Sequence, residues 1–183
     1  MAPLFLKKLF YTYQEKQGHV QKARAKIADL VGADDVLEIG CGFGANSEYC
    51  QGSYLGVDIR ADVIREARKN HPAKKFMYRD HQEIANLPVK NKTLLFCAVL
   101  HEIPDYCSII QQFILNQTSR IFICDFNPAL RGWLKLWMDV FEPDAKNWWN
   151  NGPLSCFQET DWTITSGEIS KSLFYWDAQK RIK

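Results

Sequence analysis

The chain has 183 residues, a formal net charge of +2 and 46% hydrophobic residues. This length suits one α/β domain with a full apolar core and leaves no room for the second domain of a typical dehydrogenase. The small charge argues against a general nucleic-acid binder, and no apolar run approaches the roughly 20 residues needed to span a bilayer.

Apolar residues at helical spacing predict two helices before the first strand. The first lies within residues 6–13, and the second runs from about Val20 to Val31 and stops at Gly32. Residues 1–30 carry an excess of basic side chains, and this face is expected to be solvated or to meet an anionic surface.

From residue 35 onward, predicted strands alternate with helices. The strands are expected at 35–39, 54–58, 75–78, 93–99 and 120–124, and the helices at 46–51, 62–70 and 108–116. This alternation predicts an α/β fold with a doubly wound, mostly parallel sheet, helices on both faces and right-handed crossovers. Residues 162–165 and 168–176, around a Ser166-Gly167 turn, predict a C-terminal antiparallel β-hairpin, which gives about seven strands in a single domain.

The most informative segment is the strand Val36 to Ile39, followed by alternating glycines at Gly40, Gly42 and Gly44. Without a Cβ these glycines can adopt positive φ and let a ligand approach the main chain, while the helix that follows points free N–H groups at it. The next strand ends at Asp58, whose carboxylate can accept both hydroxyls of a ribose. The segment therefore predicts a site for a nucleotide-bearing cofactor.

This pattern fits two cofactors. Gly40-x-Gly42-x-x-Ala45 also satisfies the dinucleotide fingerprint, with its permitted final alanine. An NAD-dependent oxidoreductase therefore stays open, although the chain length and the late hairpin disfavour it.

Polar residues lie at or just after the ends of five predicted strands: Glu38, Asp58, Asp80, His101 and Asp125. Ligands of a wound sheet bind beyond the carboxyl ends of its strands. One cleft is therefore expected to collect these side chains.

Later motifs occur in a consistent order. Tyr78-Arg79-Asp80-His81 precedes Leu87-Pro88, residues 93–100 lead into His101-Glu102-Ile103-Pro104-Asp105, and Arg120-Ile121-Phe122-Ile123-Cys124-Asp125 follows. With the glycine segment, these motifs resemble the class I S-adenosylmethionine-dependent methyltransferases, in particular the small-molecule branch of ubiquinone, menaquinone and "type 11" methyltransferases. The resemblance implies a methyltransferase domain over residues 35–183, with the helices of residues 1–34 capping its cleft.

The resemblance implies S-adenosylmethionine as the cofactor, S-adenosylhomocysteine as its product, and no metal. Glu38 would organise the glycine loop, Asp58 would hold the ribose and Ile59 would cover one adenine face. Asp80 would accept from the adenine amino group, beside the backbone of His81. The implied cofactor residues are Glu38, Gly40, Cys41, Gly42, Asp58, Ile59, Asp80, His81, Ala98, Val99 and Tyr13.

Methyl transfer is an in-line displacement on a sulfonium, so the protein mainly aligns the reactants and excludes water. A carbon or oxygen acceptor would also need a base, for which His101 is the first candidate and Asp125 the second. Glu102 and Asp105 are interpreted as the start and the cap of a helix. The fourth strand leads into Val99-Leu100-His101-Glu102 rather than the Asn/Asp-Pro-Pro-Tyr motif of many nucleic-acid amino methyltransferases, which disfavours DNA or RNA bases.

Aromatic residues cluster where this fold usually shapes its acceptor pocket: Trp133, Trp137, Phe141, Trp148, Trp149 and Phe157. They suggest an apolar lid, and hence a small, apolar or lipid-like acceptor, although such helical stripes are usually core. The predicted substrate pocket comprises Tyr11, His101, Trp133, Trp137 and Trp149. Beside the basic N-terminal helices, the same aromatic residues could instead enter a membrane interface.

The six cysteines form no C-x-x-C pair, and several lie in apolar strands. They are expected to be reduced and structural, which predicts a cytoplasmic protein, with peripheral contact to the inner face of a membrane as an alternative. Lys7 and Lys8 interrupt the apolar N-terminus and argue against a signal peptide. A non-catalytic scaffold or partner subunit stays open as an alternative. The helix after the glycine loop is short, and the segment after Pro143 is shorter than in the methyltransferases that the chain resembles.

Overall fold

The computed structural model describes residues 18–90, 92–127, 148, 152–157 and 161–181. The strands are β1 (Val36–Ile39), β2 (Tyr54–Asp58), β3 (Lys75–Tyr78), β4 (Thr93–Cys97), β5 (Arg120–Phe126), β6 (Trp162–Glu168) and β7 (Leu173–Lys180). The helices are α1 (Gly18–Val31), α2 (Ala61–Asn70), α3 (His81–Ala85) and α4 (Tyr106–Leu115), with 3-10 helices at Ala45–Glu48, Leu100–Glu102 and Leu154–Cys156. No helix in this described part of the chain is long and apolar enough to cross a membrane.

All seven strands belong to one sheet, in the order β3-β2-β1-β4-β5-β7-β6. Neighbouring strands from β3 to β5 are parallel, whereas β7 is antiparallel to both β5 and β6. The predicted wound sheet with a C-terminal antiparallel hairpin is therefore confirmed. The strand order reverses between β1 and β4, so the loops after these two strands flank the crevice in which such sheets bind ligands.

Helices cover both faces of the sheet, which is why all four residues of β1 are buried. On one face, α1 and α2 pack against Leu95 of β4 and Phe122 of β5. On the other face, α3, α4 and Trp148 pack against Leu94 and Phe96 of β4. Since both faces of β4 need apolar side chains, this strand is an uninterrupted apolar run in the sequence.

Helix α1 is the second of the two predicted N-terminal helices; the first lies outside the described residues. It ends where expected, because Gly32 has φ +73° and its N–H donates to the Ala28 carbonyl oxygen at 2.8 Å. Arg120 holds this end of the helix on the sheet. Its guanidinium donates to the last two carbonyl oxygens of α1 and to the carboxylates of Asp34 and Asp177.

The C-terminal hairpin turns at residues 169–172, so the predicted Ser166-Gly167 turn is wrong. Ser166 and Gly167 lie inside β6, where Gly167 is the register partner of Tyr175 on β7. A Cβ on Gly167 would lie 3.0 Å from the Tyr175 ring. The glycine therefore permits a close approach within the strand and does not mark a turn.

Two helices also differ from the prediction. The helix expected at residues 46–51 is a single 3-10 turn at Ala45–Glu48. The sequence reasoning missed α3, although Asp80 and Glu83 form a capping box at its N-terminus. Strand β4 ends at Cys97, two residues earlier than predicted, and β5 runs on to Phe126.

The prediction that all six cysteines are reduced is wrong, because Cys107 of α4 and Cys156 form a disulfide. The two cysteines are 49 residues apart in sequence and meet only when the 3-10 helix Leu154–Cys156 docks on α4. No short spacing pattern could indicate this pair. The cytoplasmic location, which rested on reduced cysteines, stays a prediction.

Loss of the disulfide is expected to destabilise the chain. Closing a loop of this length constrains the unfolded state, so Cys107→Ser should lower the free energy of unfolding by about 4 kcal/mol under oxidising conditions. Urea unfolding with and without reductant measures the effect: reductant should destabilise the wild type and leave the variant unchanged. Cys50→Ser is the matched control, and a Cys107→Ser variant as stable as the oxidised wild type would contradict the assignment.

Candidate active site

The loop after β1 carries three glycines with positive φ: +70° at Gly40, +55° at Gly42 and +81° at Gly44. A Cβ on Gly40 would collide with the Val99 side chain, which follows β4. At Gly42 the space a Cβ would occupy is open. The first glycine therefore brings the loops after β1 and β4 together, and the second presents bare backbone, as a close-lying ligand requires.

Glu38 lies in β1 just before this loop and is only 1% exposed. Its carboxylate accepts hydrogen bonds from the Tyr54 hydroxyl and from the Asn46 side-chain amide, the latter at 2.6 Å. Burial raises the pKa of Glu38 to about 7, although these two hydrogen bonds and the charge of Arg24 oppose the shift. These bonds connect the end of β1 to Asn46, just after the glycine loop; that Glu38 organises the loop, as the resemblance implies, stays a prediction.

Asp58, at the end of β2, contacts the glycine loop directly. One carboxylate oxygen accepts the Gly42 N–H at 3.0 Å, and the other accepts the Arg60 N–H at 2.9 Å. Each carboxylate oxygen has two lone pairs, so Asp58 retains capacity to accept further hydrogen bonds. The role of Asp58 in holding a ribose stays a prediction.

Two apolar side chains are exposed at the carboxyl ends of β2 and β3. Ile59 is 43% exposed and Tyr78 is 45% exposed, and Asp58, next to Ile59, is the register partner of Tyr78. A surface of this kind suits the face of an aromatic ring. It lies where the resemblance places the adenine.

Asp80 and His81 lie at the N-terminus of α3. Asp80 is the N-cap, and its carboxylate accepts the Glu83 N–H at 2.8 Å while Glu83 accepts the Asp80 N–H at 3.0 Å. This capping gives Asp80 a structural role that the sequence reasoning did not predict. Its predicted contact with the adenine amino group remains untested.

A cavity of about 420 Å³ lies beside the glycine loop. The implied cofactor residues that line it are Glu38, Gly40, Cys41, Gly42 and Ala98. Those implied for the adenosine end, which are Asp58, Ile59, Asp80 and His81, do not line it. The cavity therefore adjoins the part of the loop expected under the methionine end of the cofactor.

Helix α1 contributes Gln21 and Arg24 to the same cavity, and neither residue was predicted. They are three residues apart and so share one face of the helix. The sequence reasoning expected the basic residues of this region to be solvated or to meet an anionic surface. The signal that could have identified them is a pair of polar residues at helical spacing, N-terminal to the strand that precedes the glycine loop.

His101 and Asp125, two separate candidates for the base, form one pair. His101 Nδ1 lies 2.7 Å from Asp125 Oδ1, and the two residues are 4% and 0% exposed. Asp125 Oδ2 also accepts the N–H groups of Leu100 at 2.9 Å and Val99 at 3.2 Å. The Phe126 ring packs edge-on against the imidazole.

This arrangement fixes the histidine ring. Because Nδ1 faces a carboxylate, it carries a proton, and a neutral ring then has its lone pair on Nε2. Asp125 is fully buried and accepts several N–H groups, so its geometry fits orienting His101 better than acting as a second base. Asp105 caps α4 as predicted, by accepting the Ser108 N–H.

Trp148, one of the clustered aromatic residues, belongs to the core. Its indole donates to the Phe126 carbonyl oxygen at 2.8 Å, and its ring packs edge-on against Tyr106 and Trp176. Phe157 is also buried. Other residues of the predicted pocket and lid lie outside the described residues: Tyr11, Tyr13, Trp133, Trp137, Phe141 and Trp149. Membrane contact through these regions stays a prediction.

Residues 37–113, less than half of the chain, match a family model described as a methyltransferase domain. No curated protein sequence matches the chain. Solved structures match over nearly its whole length. Magnesium protoporphyrin IX methyltransferase (ChlM) from Synechocystis PCC 6803, with bound S-adenosylhomocysteine, is 18% identical with a TM-score of 0.64, covering 98% of this chain and 89% of that one.

Two further structures have the same fold. The plantazolicin methyltransferase BpumL is 14% identical with a TM-score of 0.70, covering 96% of this chain and 91% of that one. An S-adenosylmethionine-dependent methyltransferase from Aquifex aeolicus is 14% identical with a TM-score of 0.63, covering 98% and 99%.

The seven-stranded sheet, its terminal hairpin and the glycine loop define the fold of class I methyltransferases, and the resemblance found in the sequence is confirmed. Over residues 37–113 the chain is similar to a methyltransferase domain, and solved structures with the same fold contain bound S-adenosylmethionine or S-adenosylhomocysteine. The open backbone at Gly42 and the adjoining cavity fit such a cofactor.

Glu38→Gln is expected to flatten the pH dependence of stability. The folded chain raises the pKa of Glu38 from 4.5 to about 7, so the folded state binds this proton more tightly than the unfolded state. The contribution of Glu38 to the free energy of unfolding is therefore highest in acid. It falls by about 3 kcal/mol in total as the pH rises from 4.5 to about 7.

Urea unfolding at several pH values compares the wild type with Glu38→Gln. The stability of the wild type relative to the variant should decline between the two pKa values and then level off. Glu102→Gln, which removes an exposed carboxylate, is the matched control. Parallel pH profiles of the wild type and Glu38→Gln would contradict the assignment.

Proposed function

We propose that the chain transfers the methyl group of S-adenosylmethionine to a small, apolar or lipid-like acceptor, with His101 as the base and Asp125 as its positioning residue. The observation that carries this proposal is the buried His101–Asp125 pair, in which His101 belongs to the segment after β4 and Asp125 to β5, at the same edge of the sheet as the glycine loop. A neutral imidazole held by a carboxylate is a competent proton acceptor.

The apolar surroundings of the pair support the nature of the acceptor. His101 packs against the Phe126 ring, and the Phe126 carbonyl oxygen accepts from buried Trp148. An apolar wall excludes water from a reacting centre, and it suits an apolar acceptor. The printed names of two structural relatives give magnesium protoporphyrin IX and plantazolicin as their acceptors, which supports an acceptor other than a nucleic acid.

S-adenosylmethionine supplies an electrophilic methyl group on a sulfonium. The glycine loop and Asp58 bind and orient the cofactor, and Gly42 offers bare backbone for its approach. Asp125 holds the Nδ1 proton of His101, so Nε2 accepts the proton of a hydroxyl or an acidic carbon on the acceptor. The non-catalytic scaffold is not favoured, because residues 37–113 match a methyltransferase domain and the fold matches solved methyltransferases.

The acceptor class is tested by incubating the purified chain with methyl-labelled S-adenosylmethionine and a quinone and lipid extract. We expect label in the organic phase, and less with His101→Ala. Label found only in a polar, water-soluble fraction would overturn the acceptor class.

Asp58→Ala is expected to weaken S-adenosylhomocysteine binding by at least about tenfold, because it removes a charged acceptor and the partner of the Gly42 N–H. Calorimetry measures the affinity. Asp62→Ala, which removes a carboxylate from the first turn of α2, is the control and should bind as the wild type does. An unchanged dissociation constant for Asp58→Ala would remove this residue from the site.

His101→Ala is expected to lower kcat much more than it weakens cofactor binding, because the base acts on the acceptor. Asp125→Asn should lower kcat as well and shift the pH profile of kcat, since it changes the group that holds the imidazole. Turnover with the acceptor and calorimetry with S-adenosylhomocysteine give the two readouts. Wild-type turnover in His101→Ala would eliminate the base assignment.

A further inference from the structure

Phe126, the last residue of β5, contacts the His101–Asp125 pair with both its side chain and its backbone. Its ring packs edge-on against the imidazole of His101, with the ring centroids 4.9 Å apart. Its N–H donates to Asp125 Oδ1 at 2.8 Å, and the same oxygen faces Nδ1 of His101. The position of Phe126 therefore affects both members of the pair.

Trp148 fixes Phe126 from the side of α4. Its indole N–H donates to the Phe126 carbonyl oxygen at 2.8 Å, and its fully buried ring packs edge-on against Tyr106 and Trp176. Because a buried indole N–H without an acceptor is costly, this hydrogen bond is expected to persist as long as Trp148 stays docked. Trp148 is thus placed to hold Phe126 and, through it, the imidazole.

The disulfide attaches the segment that carries Trp148 to α4. The Gly152 N–H donates to the Trp148 carbonyl oxygen at 3.0 Å, and the Gly152 carbonyl oxygen accepts from the Tyr106 hydroxyl at 2.8 Å. Further along the same segment, Cys156 is bonded to Cys107, the residue after Tyr106. Neighbouring residues of α4 therefore hold this segment by a hydrogen bond and by a covalent bond.

One sulfur of the disulfide is accessible from solvent. Cys107 is half-buried, whereas Cys156 is only 2% exposed. Leu154 and Ser155, which precede Cys156, are exposed, and the Ser155 hydroxyl lies 3.8 Å from Cys107 Sγ. A thiolate can therefore approach the Cys107 sulfur, and such access is typical of regulatory disulfides.

We propose that the Cys107–Cys156 disulfide is a redox switch for the proposed base, and that Trp148 is the positioning residue through which it acts. One thiol of a dithiol reductant attacks the Cys107 sulfur and releases Cys156. The second thiol then closes a disulfide within the reductant and releases Cys107. Two electrons and two protons pass from the reductant to the two cysteines.

Reduction weakens the hold of α4 on the segment. Trp148 then leaves the Phe126 carbonyl oxygen more often, and the imidazole of His101 is held less firmly against Asp125. The oxidised chain is therefore the active form, and the reduced chain keeps the cofactor site but has a poorly oriented base. This inference rests on the proposed function, which makes His101 the base.

The proton on His101 Nδ1 reports on the switch without any acceptor. The chain has four histidines, so ¹⁵N-labelled histidine gives few ring signals, and the signal that His101→Ala removes belongs to His101. Reduction with dithiothreitol should speed the exchange of this proton with water about tenfold or more, because a loop-closing bond contributes more than one hydrogen bond. The far-UV circular dichroism should stay unchanged.

Trp148→Phe keeps an aromatic ring but removes the donor to Phe126. With the disulfide closed, it should raise the exchange rate about five- to tenfold, as expected for one lost hydrogen bond. Trp162→Phe is the matched control, because Trp162 is a buried tryptophan that packs against Phe157, and it should exchange as the wild type does. Cys50→Ser removes a free cysteine and should keep the full response to dithiothreitol.

Cys107→Ser should exchange at the reduced rate with or without dithiothreitol. Reduction of the intact wild type decides the matter if this variant fails to fold. An exchange rate that is unchanged on reduction, or that rises only when the circular dichroism is lost, would overturn the switch. A wild-type exchange rate in Trp148→Phe would remove Trp148 as the positioning residue.

Turnover separates this inference from the proposed function. In the assay with labelled S-adenosylmethionine and the quinone and lipid extract, reduction should lower turnover and leave S-adenosylhomocysteine affinity within about twofold. Equal turnover of the oxidised and reduced chains would overturn the switch and leave the proposed function intact. Faster proton exchange on reduction, with no turnover in either state, would overturn the proposed function instead.

Discussion

Carboxylates at the ends of the central strands hold the loops that form the site. Asp58, at the end of β2, accepts the N–H of Gly42 in the loop after β1. Asp125, in β5, accepts the N–H groups of Val99 and Leu100 in the loop after β4. In the sheet order β2-β1-β4-β5, the loops after the two central strands flank the crevice. Each of these loops is thus hydrogen-bonded to a carboxylate of the outer neighbouring strand. Charged acceptors make these hydrogen bonds stronger than neutral ones.

The two carboxylates differ in what else they can do. Asp125 is fully buried and is also hydrogen-bonded to His101, so the position of β5 determines where the imidazole lies. Asp58 is 8% exposed, is followed by exposed Ile59 and retains capacity to accept further hydrogen bonds. The two carboxylates therefore fix the proposed base on one side of the crevice and the glycine loop on the other.

The sequence predicted the sheet because its strands are apolar runs and its helices are amphipathic. It also placed Asp58, His101 and Asp125 at one edge, since the carboxyl ends of parallel strands meet there. The bond between His101 and Asp125 was not predictable, because it depends on the register of β4 against β5. The Cys107–Cys156 disulfide was not predictable either, because it forms only when two segments that are distant in sequence dock together.

The segment after the glycine loop is a single 3-10 turn, Ala45–Glu48, where a longer helix was predicted. Three residues of this turn, Ala45, Asn46 and Glu48, line the cavity, and Asn46 also donates to buried Glu38. A turn this short has a much smaller dipole than a long helix, so its backbone contributes less positive potential to the cavity. Arg24 of α1 lines the same cavity and contributes a full positive charge. The electrostatic potential of the cavity is therefore set by side chains more than by the backbone of the turn.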